Sequence, residues 1–179
     1  MRRVTAPSAT ACTATTVLIV GAGASPLVGA LVADGLQVIA VDIATAALVA
    51  LRQGLDVEPD AHDRLELLTA DVRTLRLDRM VDVWHDRAVF HFLVDDADQA
   101  AYVATAAATV RSGGHLVIAT FAPDGPTTCS GLPVHRHHAA SLAAVFGTSF
   151  DLVESFEADH VTPWATTQRF THAVLRRHD

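Results

Sequence analysis

Short, wholly apolar runs alternate along this chain with segments whose apolar residues recur every three or four positions. Val17-Leu18-Ile19-Val20 is apolar on both faces and stops at glycines, the pattern of a strand buried inside a parallel sheet. Leu27, Val28, Leu31 and Val32 then follow helical spacing up to Gly35, which closes the segment. Val38 to Asp42 repeats the buried-strand pattern, and Thr45 to Gln53 has helical composition. A third strand is expected over Leu65 to Thr69, ending at Ala70-Asp71, and a fourth over Met80 to Trp84. Asp95 can cap a helix that places Tyr102, Val103, Ala106 and Val110 on one face, with Gly113-Gly114 ending it and His115 to Phe121 as a fifth strand.

The last third changes character. Ala139 to Phe146 reads as a helix, and Phe150 to Glu157 and Gln168 to Arg177 read as strands. The loop between them is too short for a crossover helix, so they must pair as an antiparallel hairpin. The sum is an α/β, doubly wound, Rossmann-like fold: a mostly parallel sheet with an antiparallel C-terminal strand.

Composition narrows the function classes. The chain has 179 residues, 50% of them hydrophobic and 18% charged, enough for one compact domain and far from the composition of disorder. Residues 1 to 16, rich in Ala, Thr and Ser without a period, read as a loose arm before a domain spanning 17 to 179. Net charge is −7 and all 13 basic residues are Arg, so no lysine field is available to track a phosphate backbone, and nucleic acid is not an expected partner. No run reaches the ~18 uninterrupted apolar residues of a membrane span. Cys12 and Cys129 are too few and too far apart for a disulfide framework. The expected location is therefore the cytoplasm, and the absence of Lys and Asn matches the coding bias of a GC-rich, bacterial genome.

In such a sheet, ligands sit at the carboxyl ends of the strands, beside the point where strand order reverses. The loop Val20-Gly21-Ala22-Gly23-Ala24-Ser25 follows the first strand; its glycines allow a sharp turn and close backbone approach, and the next helix points its amides at whatever binds. A dinucleotide fingerprint wants a third Gly where this chain has Pro26, which weighs against NAD. Asp42 ends the second strand, twenty-one residues beyond Gly21, where a carboxylate can accept both ribose hydroxyls of NAD or S-adenosylmethionine alike. Asp71 ends the third strand, positioned to accept a hydrogen bond from an adenine amino group. The glycine loop, Asp42 and Asp71 at three successive strand ends describe an adenosine site.

Four segments then carry a family resemblance: Trp84 to Leu93 (WHDRAVFHFL), Arg111 to Ile118 (RSGGHLVI), Phe121 to Pro126 (FAPDGP) and Cys129 to Val134 (CSGLPV). They resemble those of a bacterial group of class I S-adenosylmethionine-dependent methyltransferases, over about Val17 to the end. The resemblance implies that Gly21 and Gly23 approach the methionine part of the cofactor, Asp42 the ribose and Asp71 the adenine, with Val20, Ala22, Ser25, Ile43 and Val72 also among the cofactor-binding residues. Trp84 to Arg87, expected after the fourth strand, would border the methyl group and the acceptor. Ile19 stands where the family commonly has an acidic residue.

Methyl transfer from a sulfonium asks the protein to align an acceptor and exclude water, and a base is needed only for a protonated acceptor. His85 and Asp86 are the candidates for that base, and Trp84 is expected against the cofactor. Arg87 can clamp an acidic acceptor or pair with Asp86. His160 and Trp164, in the hairpin loop at the ligand end, are expected near the acceptor. His135-Arg136-His137-His138 lacks a second ligand cluster at defined spacing, so no metal is expected. The expected function is methyl transfer to a small-molecule acceptor, or else a protein side chain, and a homodimer is compatible with it. Two alternatives stay open: a cofactor-binding but catalytically silent domain acting through a partner, and an NAD-linked oxidoreductase.

Overall fold

The computed structural model describes residues 14–55 and 63–179. The arm expected over residues 1 to 16 lies almost wholly outside them, and Thr16 already belongs to the first strand. In chain order the elements are β1 (Thr16–Val20), α1 (Pro26–Ala33), β2 (Gln37–Asp42), α2 (Thr45–Gly54), β3 (Leu65–Thr69), β4 (Val81–Arg87), α3 (Asp96–Thr109), β5 (Val110–Phe121), β6 (Thr128–Cys129), β7 (Leu132–Pro133), α4 (Ala139–Phe146), β8 (Phe150–Val161) and β9 (Thr167–Arg177). The main sheet has seven strands in the order β3-β2-β1-β4-β5-β9-β8. β1 pairs in parallel with both β2 and β4, so strand order reverses between β1 and β4. β9 alone runs against its neighbours, pairing antiparallel with β5 and with β8, so the expected fold class holds.

The apolar runs become central strands because both faces are covered. On one face Leu18, Val20, Ile39, Val41, Trp84 and Ile118 pack with Tyr102, Val103 and Ala106 of α3 and Leu142 and Phe146 of α4. On the other, Val17, Ile19, Val38 and Ala40 pack with Val28 and Val32 of α1 and Leu48 and Leu51 of α2. Fully burying one such aliphatic side chain is worth about 1.5–3 kcal/mol, so the two layers together hold the carboxyl ends of β1, β2 and β4 in fixed relation.

Three boundaries differ from those expected by more than a residue or so, the first being that of β8, which runs on past Glu157 to Val161 because its pairing with β9 continues to Thr167. The fourth strand does not end at Trp84 but runs through Arg87, because Val20 pairs with Asp86 and Arg87 pairs with Ala119 of a longer β5. Polar residues in a strand obscured this, since a buried carboxylate breaks the apolar run. The third helix ends at Thr109 rather than at the glycines, and Val110 to Gly114 already belong to β5, where Val81 pairs with Val110 and Val83 with His115. Gly114 is required there because a Cβ would lie 2.8 Å from the Asp82 carbonyl oxygen. The small hairpin of β6 and β7 had no sequence signal strong enough to expect it.

Candidate functional site

The glycine loop turns where its residues allow it. Gly21 (φ 60°) and Gly23 (φ 47°) both adopt the left-handed conformation, and Ser25 then caps α1, its Oγ accepting the Leu27 amide at 3.3 Å, with Pro26 in the first turn. A Cβ on Gly21 would collide with Cγ2 of Val89, which packs over the loop from the end of β4. Val20 and Ala22 are buried, so among the loop residues expected at the cofactor these two present backbone rather than side chain.

Asp42 is joined to that loop. Its Oδ2 accepts the Gly23 amide at 2.9 Å and its Oδ1 the Ala44 amide at 2.9 Å. A carboxylate has about four acceptor positions, so about two remain for ribose hydroxyls. Ile43 beside it is 73% exposed, an apolar side chain set out over the strand end. The Ala70 amide donates to the Asp42 carbonyl at 3.1 Å, which brings the end of β3, and with it Asp71 and Val72, alongside. Asp71 is engaged by Arg73, whose guanidinium donates at 2.6 to 3.1 Å and also reaches Asp98 at 2.8 Å. Hydrogen bonds from Arg73 hold the Asp71 carboxyl below the usual range, so it is an ionised acceptor at neutral pH. Sequence reasoning missed Arg73, because nothing in its spacing distinguishes a fixed guanidinium from a solvated one.

The β4 residues divide by strand alternation. Trp84 is wholly buried, its Nε1 donating to the Tyr102 hydroxyl at 2.8 Å, so its side chain packs the core and the expected cofactor contact is corrected. Asp86 is 1% exposed, and its oxygens accept the Val89 amide (2.9 Å), the Phe90 amide (3.0 Å) and the Tyr102 hydroxyl (2.5 Å). Burial raises its pKa to about 6. A carboxylate so enclosed meets no acceptor, which corrects the expectation of a base at Asp86.

His85 and Arg87 point the other way, to the face that carries α1. With Ile19, Val20, Gly21, Ser25, Pro26 and Leu27 they line a cleft of about 360 Å³ directly beside the glycine loop. His85 is half-buried, with Nδ1 enclosed and unpartnered among the described residues. Desolvation, then the Arg87 and His172 charges, lower its pKa, so the ring is neutral at pH 7 and able to accept a proton. Arg87 does not pair with Asp86, which lies on the opposite face; its guanidinium stands 5.6 Å from the Phe170 ring centroid, and no carboxylate of the described residues bridges to it. His172 reaches the same face through the register Arg87–Ala119–His172, a third ring that sequence reasoning did not single out.

The β8–β9 hairpin opens at the carboxyl end of the parallel strands, as expected. His160 packs edge-on to Phe170 at 6.3 Å, so it shares that ring with Arg87. Trp164 is 84% exposed at the hairpin tip, held by a turn in which Thr162 and Thr166 exchange hydrogen bonds. His137 is buried, whereas His135 and His138 are exposed, and among the described residues no three His, Cys, Asp or Glu side chains are grouped to hold a metal ion. No helix among the described residues is long and apolar enough to cross a membrane.

These features fit an adenosyl cofactor. Gly21 and Gly23 hold the loop in a left-handed turn that sets its backbone beside the cleft, Asp42 keeps acceptor capacity next to it, and Asp71 is an ionised carboxylate one strand further on, engaged by Arg73. Bound there, S-adenosylmethionine supplies an electrophilic methyl group on a sulfonium.

The fold is shared with solved methyltransferases. An S-adenosylmethionine-dependent methyltransferase from Methanosarcina mazei superposes with a TM-score of 0.77 at 12% identity, over 92% of this chain and 93% of that one. The 1,6-didemethyltoxoflavin-N1-methyltransferase of Burkholderia thailandensis, solved with 1,6-didemethyltoxoflavin and S-adenosylhomocysteine, gives 0.71 at 24% identity over 93% and 72%. The N-methyltransferase NodS of Bradyrhizobium japonicum, in complex with S-adenosylhomocysteine, gives 0.71 at 15% identity over 92% and 79%. No curated protein matches in sequence. The family model for thiopurine S-methyltransferase (TPMT), however, matches residues 5–178, nearly the whole chain. That match displaces the nicotinamide reading: the chain belongs to the thiopurine S-methyltransferase family and is an S-adenosylmethionine-dependent methyltransferase.

Proposed function

We propose that this enzyme methylates a small-molecule acceptor held at the carboxyl end of β4, between the glycine loop and the hairpin of β8 and β9. The observation that carries the reading is the cleft in which His85 and Arg87 stand directly against Gly21, Ser25 and Pro26. Arg87 offers a guanidinium with no carboxylate partner among the described residues, suited to an anionic or electron-rich acceptor. His85 takes the acceptor's proton where the acceptor is protonated. His160 and Trp164 complete the acceptor side from the hairpin. A net charge of −7 and the absence of Lys speak against a nucleic-acid acceptor. The bound 1,6-didemethyltoxoflavin of the Burkholderia neighbour supports a small molecule as acceptor.

The chemistry asked of the chain is modest. Alignment of a nucleophile with the methyl group and exclusion of water account for most of the acceleration, and a positioned base adds about 10²–10⁴-fold when a proton must leave. Transfer of radiolabelled methyl groups to a panel of thiols, amines, phenols and carboxylic acids, with a denatured-protein panel beside it, tests the reading. Turnover of a small acceptor that falls at least tenfold in Arg87→Ala supports it. Labelling of protein alone, or of nothing while S-adenosylhomocysteine still binds, overturns it in favour of a protein acceptor or a silent domain.

A further inference from the structure

We infer that Asp86 is a positioning residue for the cofactor: through the Val89 amide it holds the Val89 side chain against Gly21, and so sets the wall of the glycine loop. The inference rests on the reading that the methionine part of the cofactor lies along that loop.

Three observations carry it. Ala88 is in the left-handed region (φ 67°), a conformation that costs a non-glycine residue energy and persists only where its surroundings enforce it. The enforcement is visible on both sides of Ala88: its own amide donates to the Ala119 carbonyl at 2.9 Å, and the next two amides, of Val89 and Phe90, both end on the Asp86 carboxylate. Val89 then occupies the space that a Cβ on Gly21 would need, so the position of Val89 is read directly by the loop.

The carboxylate is itself fixed from behind. Tyr102 of α3 donates to Oδ2 at 2.5 Å, and Trp84 donates to the Tyr102 oxygen at 2.8 Å, all three side chains being essentially buried. Such a chain of buried, fully paired groups holds one geometry, because any alternative leaves a buried polar atom unpaired. A carboxylate is required rather than an amide, since three donors converge on two acceptor oxygens.

The test separates positioning from general stability by using two ligands. S-adenosylhomocysteine spans the loop and the adenosine site, whereas 5′-methylthioadenosine lacks the amino-acid end that would lie on the loop. Titration calorimetry of the parent, Asp86→Asn and Val89→Ala is expected to show S-adenosylhomocysteine binding weakened at least tenfold in both variants, with 5′-methylthioadenosine weakened less than threefold. Val89→Ala leaves the Asp86 network in place, so it answers the question even if Asp86→Asn does not fold. Equal losses for both ligands, or no loss in a folded Val89→Ala, overturn the inference. A parent that binds neither ligand overturns it together with the cofactor reading.

Discussion

Asp42 accepts the amide of Gly23 across 2.9 Å, so the end of the second strand and the glycine loop after the first are one rigid unit. The same carboxylate accepts the Ala44 amide at the start of α2. Replacing Asp42 with Ala exposes two amides to water at a cost of about 1 kcal/mol each, but it also removes the acceptor for ribose. Asp42→Ala is therefore expected to lower the melting temperature by only a few degrees while weakening S-adenosylhomocysteine at least tenfold by calorimetry. Unchanged affinity would remove Asp42 from the cofactor site.

Gly21→Ala brings two penalties to one position, a left-handed backbone and a collision with Val89. Strain of this kind costs about 1–3 kcal/mol, and a domain of this size loses about 2–4 °C per kcal/mol. Differential scanning calorimetry should show a fall of about 2–12 °C, with loss of S-adenosylhomocysteine binding. A melting temperature equal to the parent's would contradict the packing of Val89 on the loop.

His85 is neutral at pH 7 because burial, Arg87 and His172 all disfavour its charge. With an acceptor that must lose a proton, His85→Gln is expected to reduce turnover by about 10²-fold and leave S-adenosylhomocysteine affinity within threefold of the parent. With an acceptor that is already ionised, the same substitution should matter little. Equal loss on both acceptors would assign His85 to packing.

Trp164 is 84% exposed, so its removal should barely touch stability. Trp164→Ala is expected to raise the acceptor KM several-fold, leaving the melting temperature and cofactor affinity as they were. A fall in melting temperature without a change in KM would place the ring in an interface instead.

Stability should rise with pH across the acidic range. His91 and His137 are buried, and desolvation lowers both to about 4, so the unfolded chain binds their protons and the folded one does not until pH falls near 4. Asp86, raised to about 6 by burial, acts in the opposite sense, since the folded chain keeps its proton where the unfolded one has lost it. Two protons against one leave a net gain of about 1.4 kcal/mol per pH unit between pH 4.5 and 6, and His85 and His172, both lowered, add in the same direction. Urea unfolding at half-unit intervals checks this, and a flat or falling profile would contradict the neutral burial of the two imidazoles.

Most of the fold was legible because its central strands are continuous apolar runs. β3 and α4 fall on their expected residues, and β1, β2, α1 and α2 differ by a residue or so at their ends. The misplaced end of β4 has a physical cause: His85, Asp86 and Arg87 are polar, and only pairing with β1 and β5 reveals them as strand. Strand alternation then decides what each can do, and it puts His85 and Arg87 in the cleft while Trp84 and Asp86 face the core. The roles of Tyr102, Val89 and His172 were hidden for a related reason. Each acts across the sheet or against a distant loop, a relation that no local period encodes.

The central claim is that the cofactor lies across the carboxyl ends of β1 and β2, and a crystal structure with S-adenosylhomocysteine tests it most directly. The methionine part is expected against Gly21 and Gly23, with the ribose hydroxyls on the Asp42 carboxylate. Density for the ligand elsewhere, or its absence from crystals grown at millimolar ligand, would contradict the account.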